Sequence, residues 1–396
     1  MSLIGTYSDT LNLPRTDHPS SNTVQTPPRH CNHIQRQHLH HEHPKSRSKM
    51  ATMRAWQFTT LNTPFESNLT INTIPKLTAP TQSTSLKTPS ILIRIHAASL
   101  NPADHKVPLT PLVGRFLTPK PATPGLDYAG IVEAVPDGCP TTLKPGDRVF
   151  GRHEWPYQHG ALAEYILGQP NGVVKLPDGL SFVQGAALGT AAVSALQPLE
   201  MANIKEGGSV LINGGSGGVG SFTVQIAKLL GAAHVTVTCG PANVERVKAL
   251  GADDVINYRE VDVVGVLKAN AKDSGRLYDA VIENVGAVDS LYEECHEFVR
   301  PGGVFVQVAG TNVFFTAKRL ILPGFLGGGK VRYRSYLATN VPEELQRIAE
   351  WVNEKKLKVE IDEEFAFEEA TKAFAKLRGG RAQGKIVVRA PREGRT

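Results

Sequence analysis

Apolar residues change their spacing along the chain, and each change marks a different architecture. From Arg54 to about Leu176 they come in short runs divided by Pro, Gly and Asn: Arg54 to Phe58, Ile91 to Ala97, Ala129 to Ala134, Arg148 to Gly151 and Ala161 to Leu167. Ile91, Ile93 and Ile95 alternate with Leu92, Arg94 and His96, the period of a half-buried strand. This stretch predicts a compact, mostly β domain. From about Ser181 to Ser335 strands are spaced by helices. The strands are Val210 to Asn213, His234 to Thr238, Asp254 to Asn257, Asp279 to Glu283 and Gly303 to Val308. The helices are Val219 to Leu230, Asn243 to Leu250, Val261 to Asn270 and Val288 to Val299. Such alternation predicts a doubly wound parallel sheet with ligands at the carboxyl ends of its strands. After Thr339 two amphipathic helices follow, Glu343 to Glu354 and Phe365 to Leu377, and a last strand from Gly384 to Arg389. That strand needs a partner, which the first domain supplies if it encloses the second.

The first strand of the alternating region breaks into Gly214-Gly215-Ser216-Gly217-Gly218-Val219-Gly220 and resumes with helical spacing at Val219, Phe222, Ile226 and Leu229/Leu230. Gly215-x-Gly217-x-x-Gly220 fits the dinucleotide fingerprint. Its glycines permit a tight turn, close approach of backbone to a pyrophosphate, and close helix-to-strand packing. The strand-turn-helix context supports that reading over a plain glycine-rich surface turn.

With 396 residues, 41% of them apolar and 20% charged, the chain has room for two globular cores. No apolar run reaches about 18 residues, so no membrane span is expected. The formal charge of +6 is misleading, because half of it lies in residues 1–49, which hold six basic and three acidic residues. No basic block interleaved with aromatics remains, and no nucleic acid is expected as a partner. The same 49 residues hold seven of the 13 histidines and little apolar periodicity, which predicts a disordered leader. It reads as a transit peptide or an over-long start, which leaves the compartment as cytoplasm or, with a transit peptide, the mitochondrion. Cys31, Cys139, Cys239 and Cys295 stand far apart, against a disulfide framework or structural zinc and in keeping with a reducing compartment.

Six stretches, in order and spacing, resemble the zinc-independent quinone oxidoreductase (zeta-crystallin-like) branch of the medium-chain dehydrogenase/reductase superfamily. They are Ala97 to Asp104, Pro124 to Val132, Lys144 to Val149, Gly160 to Tyr165, the glycine turn and Leu250 to Asp253. The resemblance implies an α/β chain made of a GroES-like catalytic domain, residues 50–178 with 339–396, and a Rossmann-type nucleotide domain, residues 179–338. It also implies an active site between them, and a homodimer as the usual assembly. The positions at which the superfamily's zinc alcohol dehydrogenases bind their metal fall on Asn101, Leu126 and Gly189-Thr190, which are poor ligands. No metal is therefore expected, and without one alcohol oxidation loses its means of making an alkoxide.

Charge bears on the cofactor. About 20 residues past the glycines an NAD site places an acid, but here Thr238-Cys239-Gly240-Pro241 has none, while Asn243, Arg246, Lys248 and Tyr258 follow. The expected cofactor is NADPH, with its extra phosphate near Cys239, Asn243 and Arg246 and, as the resemblance implies, at Tyr258. Tyr258 otherwise reads as a buried strand-end aromatic, and Arg246 and Lys248 read equally as solvent-facing helix charges. The resemblance adds Lys385 or Arg381 to the phosphate, Gly215, Ser216, Gly217, Gly218, Val219 and Gly220 to the pyrophosphate, and Thr190, Asn284, Ala309 and Gly310 to the nicotinamide. For the chemistry it implies Asn101, Asp104 and Lys106, where Asn101-Pro102 also reads as a turn and Asp104 as its cap. Trp155, Tyr157, Phe314, Phe315 and Phe325 are candidates for an apolar substrate wall.

The expected activity is reduction of a quinone or an α,β-unsaturated carbonyl compound. An enoyl-thioester reductase of fatty-acid or polyketide synthesis and a non-catalytic NADPH-sensing or RNA-binding protein are the alternatives.

Overall fold

A computed structural model describes residues 51–79, 89–110, 118–154, 158–286, 289–309, 319 and 330–391. The leader and the aromatic wall candidates, together with Gly310, lie outside these residues. Strand β1 (Thr52–Gln57) pairs antiparallel with β2 (Thr70–Pro75). Strand β3 (Ile91–Leu100) is followed by helix α1 (Pro102–Leu109), then by β4 (Asp127–Ala134), β5 (Arg148–Arg152), β6 (Tyr165–Gly168) and β7 (Val173–Lys175). Ile91, Ile93 and Ile95 are buried, as their alternation predicts.

Helix α2 (Phe182–Ala202) leads into the alternating region. It contains β8 (Ser209–Asn213), α3 (Gly218–Leu229), β9 (His234–Cys239), α4 (Val244–Ala249), β10 (Asp254–Asn257), α5 (Val263–Ser274), β11 (Tyr278–Glu283), the short α6 (Asp289–Glu293), β12 (Val299–Gln307) and β13 (Arg332–Ser335). These strands form one parallel sheet in the order β10-β9-β8-β11-β12-β13. Relative to β8 as the first strand, this is the doubly wound order 3-2-1-4-5-6. The order reverses between β8 and β11, so the turns after Asn213 and Glu283 flank the switch point at which such sheets bind ligands.

The chain closes with α7 (Pro342–Asn353), β14 (Ile361–Phe365), α8 (Ala370–Arg378) and β15 (Lys385–Arg389). β15 pairs antiparallel with β3, Ile386 opposite Leu100, and completes the sheet ordered β14-β15-β3-β4-β5-β7. This register sets Lys385 beside Asn101. The predicted helix from Phe365 is corrected here: Ile361–Phe365 is a strand parallel to β15, and the helix starts at Ala370.

Helix α2 was not anticipated by periodicity, because it is buried along most of its length and packs against β3, β4 and β5 on one side and α3 and α7 on another. Its apolar residues make one core with Ala129 and Phe150 of the antiparallel sheet and with Ile212, Val237 and Ile282 of the parallel one. A rigid pillar therefore joins the two sheets behind the site. Among the described residues no helix is long and apolar enough to cross a membrane.

Candidate functional site

A cleft of about 800 Å³ opens at the switch point, lined by Gly214, Ser216, Gly217, Gly218, Val219 and Gly220 on the floor, Asn101, Pro102 and Lys385 at one end, and Tyr258, Val261 and Val285 at its rim. That volume suits a drug-sized or cofactor-sized ligand. The glycines explain the floor. A Cβ at Gly220 falls under 3.0 Å from the Gly214 carbonyl, so the first turn of α3 lies directly on the loop. A Cβ at Gly217 meets no atom within 4 Å, so its backbone faces open cleft. The first N–H groups of α3 have no partner within the helix and point at the same space, an arrangement made for a phosphate. Tyr258, Val261 and Val285 are three of the few large apolar side chains left exposed among the described residues, and all three border this cleft. Exposed apolar surface gathered at one rim offers a seat for a flat heterocycle.

Beneath the floor runs a directional chain of hydrogen bonds. Gly214 N–H donates to Thr238 Oγ1 at 2.9 Å, whose hydroxyl donates to Asn213 Oδ1 at 2.5 Å; Asn213 Nδ2 donates to Glu283 Oε2 at 2.7 Å. Glu283 Oε1 accepts the N–H groups of Val285 at 2.6 Å and Gly286 at 2.9 Å. Burial raises the Glu283 carboxyl above its ordinary value, against the pull of these donors. The chain ties the glycine turn to the loop after β11 across three strand ends. It leaves Asn284 between them, with Oδ1 and Nδ2 both buried and without a hydrogen-bond partner among the described residues. An orphaned amide lining a cleft is costly unless a ligand answers it, and a nicotinamide nucleotide carries matching donors and acceptors. The site fits that group: the glycine turn for its pyrophosphate and Asn284 for its polar inner end. Glu283, Asn213 and Thr238 were not singled out from the sequence, because only the sheet order shows that their strand ends adjoin.

At the inner end, four chain segments meet in a buried polar cluster. Asp127, fully buried, accepts from Thr190 N at 2.8 Å and Thr190 Oγ1 at 2.6 Å through Oδ1, and from Asn101 Nδ2 at 2.8 Å through Oδ2. Lys385 Nζ, on a side chain 3% exposed, donates to Asn101 Oδ1 at 2.6 Å and to the Leu100 carbonyl at 3.0 Å, and lies 3.7 Å from Asp127 Oδ2. Burial lowers the Lys385 pKa, against the attraction of Asp127 and Asp104.

Two expectations change as a result. Asn101 was expected to face the substrate, but its oxygen is held by Lys385 and its nitrogen by Asp127 and, at 3.5 Å, by the Ser99 carbonyl. It orients the cluster rather than presenting a free donor. Lys385 was expected at a phosphate, but its ammonium turns inward to Asn101 and only its stem passes Gly218.

Asp104, also buried, accepts the Asn101 N–H at 2.7 Å and caps α1. Burial pushes its carboxyl above the ordinary 3.8, with the charge of Asp127 adding to the shift. The folded chain thus keeps a proton there that the unfolded chain has released, and this group's contribution makes stability fall as pH rises from about 4. Asp104→Asn keeps an oxygen for the Asn101 N–H and removes that slope. Urea denaturation of both proteins at several pH values between about 4 and 7 checks it, and parallel stability curves would refute it. Lys106, further along α1, is exposed, two residues past this cap.

The zinc positions are answered by chemistry. Asn101 offers an amide already engaged by the Lys385 ammonium, Leu126 a buried hydrocarbon, and Thr190 a hydroxyl bonded to Asp127. This donor set does not fit zinc, which takes thiolate, imidazole or carboxylate ligands. Among the described residues no cluster of His, Cys, Asp or Glu is built to hold a metal ion.

At the outer end, Gly240 follows β9 where an acid would select NAD, and Tyr258, half exposed, stands beside it. Cys239 is buried and borders the cleft, and burial raises its thiol. Arg246 does not reach into the cleft as expected: Nη1 donates to Glu360 Oε2 at 3.2 Å and Gln383 O at 3.0 Å, and Nη2 to the Ser216 carbonyl. It braces the glycine turn against the last strands. Lys248 pairs with Glu245 on the surface, in line with the solvent-facing alternative. Asn243 lies in a single turn of 3-10 helix after β9, its Oδ1 buried without a partner among the described residues. Ala309 N–H donates to the Glu283 carbonyl at 3.1 Å, close to Asn284.

Comparison with known proteins agrees with this architecture. Residues 87–178 match the alcohol dehydrogenase GroES-like domain, and residues 250–388 match the zinc-binding dehydrogenase family. The trans-enoyl reductase pgmF of Aspergillus terreus is 38% identical over 356 residues, which are 86% of this chain and 96% of that protein. The 2-methylene-furan-3-one reductase of Solanum lycopersicum is 34% identical over 351 residues, 85% of this chain and 79% of that one. The solved quinone oxidoreductase of Coxiella burnetii superposes with a TM-score of 0.73 at 30% identity, covering 86% of this chain and all of that one. The chain therefore belongs to the medium-chain dehydrogenase/reductase superfamily, in its quinone-oxidoreductase-like branch, and is a nicotinamide-dependent oxidoreductase.

Proposed function

We propose that the chain is an NADPH-dependent, zinc-independent reductase of quinones or α,β-unsaturated carbonyl compounds. The observation that carries this reading is the inner end of the cleft, where the superfamily's metal positions hold an amide engaged by a buried ammonium, a leucine, and a threonine bonded to Asp127. Such a site offers no ligand set for the metal that turns an alcohol into an alkoxide, whereas an activated double bond needs only a hydride and a proton. Bound NADPH supplies the hydride. The chain's glycine turn and Asn284 hold and orient it, and the Asp127 cluster keeps the inner wall rigid.

Charge that builds on the substrate's carbonyl oxygen needs a donor. With Asn101 engaged and Asp104 buried as a helix cap, Lys106 is the remaining candidate of the three, exposed on α1 about one turn past Pro102, which lines the cleft. Lys106→Met is expected to lower kcat by about 100-fold, the scale of general acid catalysis, with NADPH affinity unchanged. Equal kcat in the two proteins would remove Lys106 from the chemistry.

A second reading is favoured by the likeness to a trans-enoyl reductase along almost its whole length: a substrate that is an enoyl thioester. One assay separates the two. NADPH oxidation is followed with a quinone, a simple enone and an enoyl thioester in turn; turnover of the first two supports the first reading, and turnover of the thioester alone supports the second. No oxidation with any of them sinks both.

The domain boundaries near residues 178 and 339 belong to this proposal, and the strands of the two sheets support them. So does a reducing compartment such as the cytoplasm, in keeping with free thiols at Cys139, Cys239 and Cys295. A homodimer is the assembly proposed, and the mass of the purified protein in solution tests it.

A further inference from the structure

We infer that Arg259, rather than Arg246, is the residue that selects the 2′-phosphate of NADPH, an assignment that rests on the NADPH reading above. β10 runs parallel to β9 with Asn257 opposite Cys239, so the residues that follow β10 stand against Gly240. Tyr258 N–H donates to the Cys239 carbonyl at 3.3 Å, and the Asn257 side chain accepts the Arg259 N–H at 3.1 Å, fixing the turn. A Cβ at Gly240 would lie 3.3 Å from the Tyr258 hydroxyl and 4.0 Å from Arg259 Nε. The space in which an NAD site carries its acid is thus bordered by a phenol and a guanidinium.

The two arginines differ in what already holds them. Arg246 is paired with Glu360, a carboxylate only 12% exposed, and bonded to two backbone carbonyls. Drawing it toward a phosphate would leave Glu360 with Lys358 as its one ion-pair partner among the described residues. Arg259 is exposed and, among the described residues, makes no side-chain ion pair; its guanidinium carbon lies 5.9 Å from the centre of the Tyr258 ring. A guanidinium with no competing carboxylate gives a phosphate two parallel N–H donors with no bond to break first. Beside Tyr258, which lines the rim, it discriminates by charge: the phosphate meets a cation, and a cofactor that lacks the phosphate loses nothing by its removal.

Binding of NADPH and NADH to the purified chain, read by titration calorimetry without substrate, tests this. Arg259→Gln is expected to weaken NADPH by about 10- to 100-fold, the scale of a charge-assisted phosphate contact, and to leave NADH within about twofold. Arg246→Gln, which loosens the glycine turn common to both nucleotides, is expected to weaken NADPH and NADH alike. 2′,5′-ADP, which carries the phosphate without the nicotinamide, should follow NADPH in its loss at Arg259→Gln. A wild-type preference for NADPH that survives Arg259→Gln overturns the assignment and leaves the cofactor reading standing. A wild-type chain that binds both nucleotides equally overturns both. The position is exposed, and thermal unfolding of the variant confirms that the fold is intact.

Discussion

Lys385→Met is expected to lower the free energy of unfolding by about 3–5 kcal/mol, the loss seen when one partner of a buried charged pair is removed. The reason lies in what remains. Asp127 is fully buried and keeps three donors, from Thr190 and Asn101, but loses the ammonium 3.7 Å from it, its one ion-pair partner among the described residues, while Asn101 Oδ1 and the Leu100 carbonyl lose the ammonium that donates to them. Methionine fills nearly the same volume, so the change reports charge and hydrogen bonding rather than a cavity. Lys385→Arg, which keeps the charge in a larger head, should fall between the two. Urea denaturation followed by tryptophan fluorescence measures all three proteins. A loss below about 1 kcal/mol, the scale of a surface pair, would mean that the ammonium is not what holds β15 to the end of β3.

Gly220→Ala is expected to reduce turnover by about 100-fold, as a misplacement of about 1 Å can do. The new methyl group would lie against the Gly214 carbonyl, a backbone atom that cannot rotate away. Relief requires the start of α3 to lift from the turn, which moves the donors that receive the pyrophosphate. Gly214 is also held from below by Thr238, so the turn cannot follow the helix without breaking the chain to Glu283. Stability is expected to fall by about 1–3 kcal/mol, the usual cost of overpacking. Gly217→Ala is the control, since its added methyl meets nothing within 4 Å and burdens only the ligand. Steady-state kinetics with NADPH and a quinone, beside unfolding curves, separate the two variants. Wild-type turnover in Gly220→Ala would show that the turn and helix are not in the contact described.

The helix that joins the two sheets shows why periodicity failed where it did. α2 is rich in alanine and glycine and has no polar face, because protein surrounds it, so no stripe repeats at helical spacing. Pro198 inside it argues further against a helix. Its one local signal was the capping box: Ser181 Oγ accepts from Gln184 N at 3.2 Å while Gln184 Oε1 accepts from Ser181 N at 3.0 Å. β14 was hidden differently, since Asp362, Glu363 and Glu364 leave only Phe365 to mark the buried face.

Local features were legible without coordinates. The glycine turn, the alternation of strand and helix, the missing acid at Gly240 and the unsuitable metal positions depend on neighbours in the chain or on residue type alone, and short-range sterics and charge are written there. The assignment of charges to partners was not. Lys385 lies 284 residues from Asn101, and Arg246 lies 114 from Glu360, so only strand pairing and packing decide which acid or amide each cation meets. An ion follows whichever opposite charge the fold brings within a few ångströms, and in a buried site that choice is made by desolvation and distance together. Chain order determined that a nucleotide-binding oxidoreductase would form; tertiary structure decided that Lys385 and Arg246 serve the framework while Arg259, beside Tyr258, is left exposed and without a side-chain ion pair among the described residues.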